Sequence, residues 1–230
     1  MKKLKLLFSV MFLCGIASAQ DQIFHCAEML NVSQQVTDFR YEKYNENYIV
    51  RKYDSFSQVV NSTEEELMRS VLSASDLNWY NFNLEEKVKE TSQDFNYIKM
   101  ASADAYYSTL VSKVNFIANG TEYAVVKYHL HYNGEIYGFA EAMKKNDNKW
   151  VTTKDYQVSQ LLLFMGMVDI TYIDAIVNNK QTDNAELNRI IGENTKNNNL
   201  DLNAIIFSLQ KGLDQNDKLT SILDTYRIFK

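Results

Sequence analysis

Two Asn-Gly pairs, Asn119-Gly120 and Asn133-Gly134, constrain this chain more than anything else in it. Each sits between runs in which β-branched and aromatic residues alternate with polar ones: "STLVSKVNFIA", "TEYAVVKYHLHY" and "EIYGFAEAMKKN". A two-residue type I′ turn needs positive φ at both central positions, and Asn-Gly supplies it at the least steric cost. Two such turns commit the middle of the chain to an antiparallel meander. A third turn at "KNDN" leads into "KWVTTKDY". The expected strands are about 110–118, 121–132, 135–144 and 149–156.

Tight turns also set register, and a slip of one residue would exchange the two faces. Pairing Tyr132 with Glu135 places Leu130 opposite Tyr137, Tyr128 opposite Phe139, Val126 opposite Glu141 and Ala124 opposite Met143. That face is mainly large and apolar. On the other face His131 stands opposite Ile136, His129 opposite Gly138, Lys127 opposite Ala140 and Val125 opposite Ala142. The first turn sets Phe116 against Tyr123, Val114 against Val125 and Leu110 against His129. Polar, titratable side chains thus face a column of small ones. A small residue in a strand marks a place where a helix backbone or a ligand comes close. Lys127, His129, His131, Gly138 and Ala140 are the candidate ligand-binding residues, expected to line a concavity beside the C-terminal helices.

The flanks read as helical. In "NSTEEELMRSVLSAS", Ser62 with Glu65 three residues on forms a capping box, and acidic residues in the first turn suit the helix dipole. That helix is expected to run to about Trp79, with a second, polar one at 84–95. Residues 27–48, dense in tyrosine, are read as a helix. "VSQLLLFMGMVDITYIDAIV", residues 158–177, is apolar nearly all round, the mark of a buried helix or of one shared with a second copy. "TDNAELNRIIGEN" starts at a cap formed by Asp183 with Glu186, and "LDLNAIIFSLQKG" and "NDKLTSILDTYRIF" complete a helical C-terminal third. The expected class is α+β: N-terminal helices, a four-stranded antiparallel meander over about 110–156, and a helical C-terminal third.

The first residues, "MKKLKLLFSVMFLCGIASAQ", combine Lys2, Lys3 and Lys5 with an 11-residue apolar stretch and the small-x-small triplet Ala17-Ser18-Ala19. This is the pattern of a secretory signal peptide over 1–19, leaving residues 20–230 as one domain in the periplasm or outside the cell. A lipid anchor at Cys14 is the rival reading, but Leu13 before it is too large for a lipobox. Cleavage at Ala19 leaves Cys26 as the one cysteine, so no internal disulfide is expected. With 24 Lys+Arg against 29 Asp+Glu, loss of the three leader lysines makes the acidic excess eight. That balance argues against nucleic acid and anionic membrane surfaces. No run reaches membrane length.

The pair His129-x-His131 places two rings on one strand face, a geometry that metal sites use. The third histidine is His25, and the register brings no carboxylate to that face, so no metal is expected. Gly-x-Ser-x-Gly and phosphate-binding glycine loops are absent from the sequence. The Asn/Asp-rich "NNNLDLN" and "DQNDK" put Ser208 and Lys218 where a calcium loop needs ligands. No catalytic residue and no cofactor are assigned.

Helices followed by an antiparallel meander over 62–156 resemble the nuclear-transport-factor-like and ketosteroid-isomerase-like group. That resemblance implies a curved sheet with a pocket on its concave side. The group's catalytic Asp has no counterpart that can be placed here, so no site residue carries over. The short "MKK" leader and 23 asparagines resemble exported proteins of the Bacteroidota. The expected role is a non-enzymatic binding or accessory protein for an unidentified small molecule or protein. Two alternatives stand beside it: an enzyme with a pocket at the His129 face, and an interaction protein that forms homo-oligomers through 158–177.

Overall fold

The computed structural model describes residues 36–91, 95, 106–178, 180–196, 199–200, 204, 207–209, 211 and 222–223. Contacts divide the chain into two units, Met1–Val36 and Thr37–Lys230; the sheet and helices described here belong to the second.

Both Asn-Gly pairs adopt the backbone their chemistry favours. Asn119 and Gly120 have φ of 52° and 78°, Asn133 and Gly134 of 50° and 78°. They join β2 (Tyr107–Ala118), β3 (Thr121–Tyr132) and β4 (Glu135–Asn146). A turn with Asp147 at φ 53° leads to β5 (Lys149–Thr152). The sheet has five strands, not four, because β1 (Val36–Ile49) adds to it in the order β1-β2-β3-β4-β5. The helix expected at 27–48 is therefore corrected over 36–48; residues 27–35 lie outside the described residues. Tyr41 packs under one face of the sheet and Tyr44 under the other. A spacing of three reads as helical, but on a strand it puts two side chains on opposite faces.

The β3–β4 register is the expected one at every pair from Tyr132↔Glu135 to Ala124↔Met143. Phe116↔Tyr123 and Val114↔Val125 hold as well. Leu110 does not face His129. It faces Tyr128, because Val111 is an extra residue between Leu110 and Ser112, a β-bulge. The bulge brings Thr109 opposite His129 and Tyr107 opposite His131.

Helices cover both faces. On one side α1 (Glu64–Ser73) and α2 (Leu77–Phe82) bury Leu67, Met68, Leu72 and Trp79 against Leu110, Val126, Tyr128 and Met143. On the other, α3 (Tyr156–Met167), α4 (Ile170–Val177) and α5 (Ala185–Glu193) bury Leu161, Phe164, Met165, Ile173 and Ile190 against Val114, Phe116, Val125 and Ala142. The short β5 is covered as well: Trp150 N–H donates to Asn61 O at 2.8 Å and Thr152 N–H to Asn83 O at 2.7 Å. An exposed strand edge is thereby avoided on that side.

Several helix ends differ from expectation. Thr63, not Ser62, caps α1, accepting Glu66 N–H at 3.2 Å, while the Glu66 carboxylate accepts Ser62 N–H at 2.7 Å. Asn184, not Asp183, caps α5, accepting Leu187 N–H at 3.0 Å. Asp183 instead accepts the Tyr172 hydroxyl at 3.1 Å. The helix expected to reach Trp79 stops at Ser73, and Asp76 starts α2 by accepting Trp79 N–H at 3.0 Å. No helix forms over 84–91; Leu84 bridges to Thr152. The single helix expected at 158–177 is two. Asp169 is 3% exposed and caps α4, accepting Thr171 N–H at 2.8 Å. The helices expected in "LDLNAIIFSLQKG" and "NDKLTSILDTYRIF" fall mostly outside the described residues. A two-stranded ribbon, β6 (Thr195–Lys196) with β7 (Asn199–Leu200), precedes them. The class is α+β. Among the described residues no helix is long and apolar enough to cross a membrane.

Candidate functional site

The five candidate residues lie on one sheet face, and α3 divides them. Lys127 and Ala140 lie under the helix; the two histidines lie toward the hairpin end.

Lys127 is fully buried, and its Nζ donates to the Met165 carbonyl at 2.8 Å. The last four carbonyls of a helix have no partner within it. Val168 N–H takes Phe164 O at 3.0 Å, which leaves Met165 as the next acceptor. A buried ammonium is costly unless it is hydrogen-bonded. The C-terminal end of a helix, with its partial negative charge, is a favourable place for it. Lys127 is thus a C-terminal cap for α3. Ala140, opposite it, accounts for the small column: a Cβ on Gly166 of α3 would lie 3.7 Å from Ala140 N and 3.8 Å from Ala140 Cβ. Here the small residue admits a helix backbone.

Two further side chains complete this half. Ser112 is the cross-strand neighbour of Lys127 and is fully buried. Tyr41 on β1 packs on the same side, its pKa pushed up by burial and by the charge of Asp174.

Toward the hairpin the face is open. His129 and His131 are half-buried, their ring centroids 6.4 Å apart and tilted by 70°. Tyr107 stacks on His131 at 4.3 Å and 8°, and 51% of Tyr107 remains exposed. Thr109 Oγ1 lies 2.9 Å from His131 Nε2. Burial, and then the neighbouring His129, holds the His131 pKa below the usual histidine value. Gly138, opposite His129, is buried. A recess of about 230 Å³ opens here, lined by Tyr107, His131, Tyr132, the Asn133-Gly134 turn, Glu135 and Ile136. Behind it, Tyr106 stacks on Tyr132 at 4.2 Å and 12°, and the Tyr137 hydroxyl donates to Glu135.

The sequence reading missed Tyr107 and Thr109 because it began the strand at 110 and could not see the bulge. It also missed an ionic network at the start of α1. Lys113 Nζ lies 3.0 Å from Glu65, 3.9 Å from Glu64 and 3.8 Å from Glu42. The Tyr44 hydroxyl donates to Glu65 at 2.6 Å. Burial pushes the Glu65 carboxyl up, but Tyr44 and Lys113 outweigh it and hold the pKa low. These groups satisfy one another and pin α1 to the sheet. Among the described residues no three His, Cys, Asp or Glu side chains converge as a metal set.

No family model, no curated protein and no solved structure matches this chain.

Proposed function

We propose that the protein is a non-enzymatic binding or accessory protein, exported by its leader, that holds a small ring-bearing ligand at the hairpin end of the sheet. The observation that carries this reading is the Tyr107–His131 stack beside the recess. One ring fixes the other, and the outer face of Tyr107 stays in solvent. An aromatic ring held flat in advance offers contact area at little entropic cost. Ile136 supplies apolar lining, while His131 and Asn133 supply hydrogen-bonding groups. A volume of about 230 Å³ falls just below the usual ligand-site range of about 300–1,000 Å³. It suits a single ring rather than an extended molecule.

The test is an amide-resolved NMR titration of the mature chain with indole, phenol and a methyl pyranoside. The reading expects saturable shifts confined to residues near 107, 109 and 129–136, and their loss in Tyr107→Ala. Shifts scattered over the surface, or none at millimolar probe, would overturn it.

A second reading has one observation in its favour. Thr109 Oγ1 at 2.9 Å from His131 Nε2 is the spacing of a hydroxyl and the base that would activate it. That reading expects ester hydrolysis that disappears in both Thr109→Val and His131→Gln. An oligomer seam through 158–177 has less behind it, because Val158, Leu161, Phe164, Met165 and Ile173 are committed to the core.

A further inference from the structure

Three glutamates around the sheet are neutralised by lysines: Glu65 by Lys113, Glu85 by Lys144 and Glu122 by Lys145, each within 3.0 Å. Glu135 is not. It is half-buried, and among the described residues no lysine or arginine pairs with it. Its Oε2 accepts the Tyr137 hydroxyl. A phenol orients a carboxylate without cancelling its charge. Burial, and then this hydrogen bond and the charge of Glu135, push the Tyr137 pKa up to about 12, so the phenol keeps its proton. Of the seven residues that line the recess, Glu135 is the one with a fixed charge. His131 adds none near neutral pH, because burial and His129 hold its pKa below the usual value. Glu135 pairs with Tyr132 and so stands on the face away from His131, but the recess runs over the Asn133-Gly134 turn and takes in both.

We propose, resting on the ring-binding reading above, that the recess takes a cation: an aromatic ring with a short ammonium arm, the ring against Tyr107 and the ammonium at the Glu135 carboxylate. An ammonium on a carboxylate makes a charge-assisted hydrogen bond, and a partly buried pair is screened less than one in open water. Tyr132 lines the turn between the two ends, and the π face of a tyrosine attracts a cation. A neutral ring would keep the stack and leave the carboxylate without a counter-charge. An anionic ring would meet it as repulsion. The arm has to be short, because the recess is about 230 Å³. The chain's net charge of −5 favours encounter with a cation as well.

The test is an amide-resolved NMR titration of the unmodified protein, at about pH 7.5, with three probes that share a phenyl ring: 2-phenylethylamine, 2-phenylethanol and phenylacetate. The amine should bind about threefold to tenfold tighter than the alcohol, with phenylacetate the weakest. That advantage should shrink as salt rises from about 0.05 to about 0.5 M. Glu135→Gln keeps an acceptor for Tyr137 and should bring amine and alcohol to within about twofold of one another. The charge series and its salt dependence need no variant to fold. Equal affinity for amine and alcohol, tighter binding of phenylacetate, or an amine advantage that survives in Glu135→Gln would overturn the cation and leave the ring-binding reading standing. Binding of none of the three would overturn both.

Discussion

Lys127 and His131 stand on the same face of the same strand, four residues apart, and each lies opposite a residue of β4 in an uninterrupted ladder. One is sealed beneath a helix; the other borders a recess. The difference comes from outside the strand: α3 ends over Lys127, so its last turn needs a donor, and the helix does not reach the hairpin. A polar side chain facing a small one is therefore ambiguous. It fits a helix terminus that must be capped as well as it fits a ligand. What separates the two is where the covering element stops, and that is decided by Asp169, more than thirty residues downstream in the chain.

The sharpest way to break this contrast is at Lys127. Lys127→Ala should cost about 3–5 kcal/mol, from the void left by the stem together with the orphaned Met165 carbonyl. Lys127→Met, which keeps most of the volume, should cost about 1–3 kcal/mol, the carbonyl alone. Urea melts of the two would separate the parts, and a cost below about 0.5 kcal/mol for Lys127→Ala would mean the residue is not buried. On the open half, His131→Ala should cost less, about 0.5–1.5 kcal/mol, from the lost Tyr107 stack and the Thr109 hydrogen bond. Gly166→Ala should go the other way. A Cβ there would meet Ala140 at ordinary contact distance. Replacing a helical glycine should then raise stability by about 0.5–1 kcal/mol. A loss would mean that α3 sits closer to the sheet than described.

How much of this could be read in advance follows the same division. The Asn-Gly turns and the whole β3–β4 register were legible, because a two-residue turn leaves one way to pair the flanking strands. The bulge at Val111 was not. Burial alternates through β2 without a break, because Leu110 and Val114 enter different cores that are equally apolar. The pattern that usually betrays a face change was therefore silent. β1 failed for a related reason: Tyr41 and Tyr44 serve opposite cores, so neither period stands out. The starts of α1 and α5 were legible to within one residue, since Ser62-Thr63 and Asp183-Asn184 each offer two capping side chains in a row. Asp169 read as one polar residue inside an apolar run, and its role as a cap shows only in the Thr171 hydrogen bond. Of the candidate residues, His131 lines the recess and His129 lies beside it on the strand, while Lys127 and Ala140 had their environment set by α3.

The smallest effect expected is a pH dependence confined to the open half. The His131 pKa is depressed in the fold by burial and by His129. A histidine depressed in this way adds stability that is fully present above its unfolded value of about 6.5. That contribution is lost as pH falls from there through the lower folded value. Tyr107 and Thr109 on β2 and Ile136 on β4 face His131, and His129 is its titratable neighbour on the same strand. Denaturation midpoints from pH 7.5 to 5 should fall more in the unmodified protein than in His131→Asn. Parallel curves would assign the depression no energetic weight.

The division of the face can be tested in a single sample by native-state chemical footprinting. The folded chain is treated with acetic anhydride and, separately, with diethyl pyrocarbonate, and modification is read by peptide mass spectrometry. Lys43 and Lys180, whose side chains are 51% and 63% exposed beside Asp174, set the rate for a solvent-accessible lysine. His131 should be carbethoxylated under native conditions, while Lys127 should remain unacetylated until the protein is unfolded. Acetylation of Lys127 at the rate of Lys43 in the folded chain would contradict it, because α3 could not then be sealing that half of the sheet.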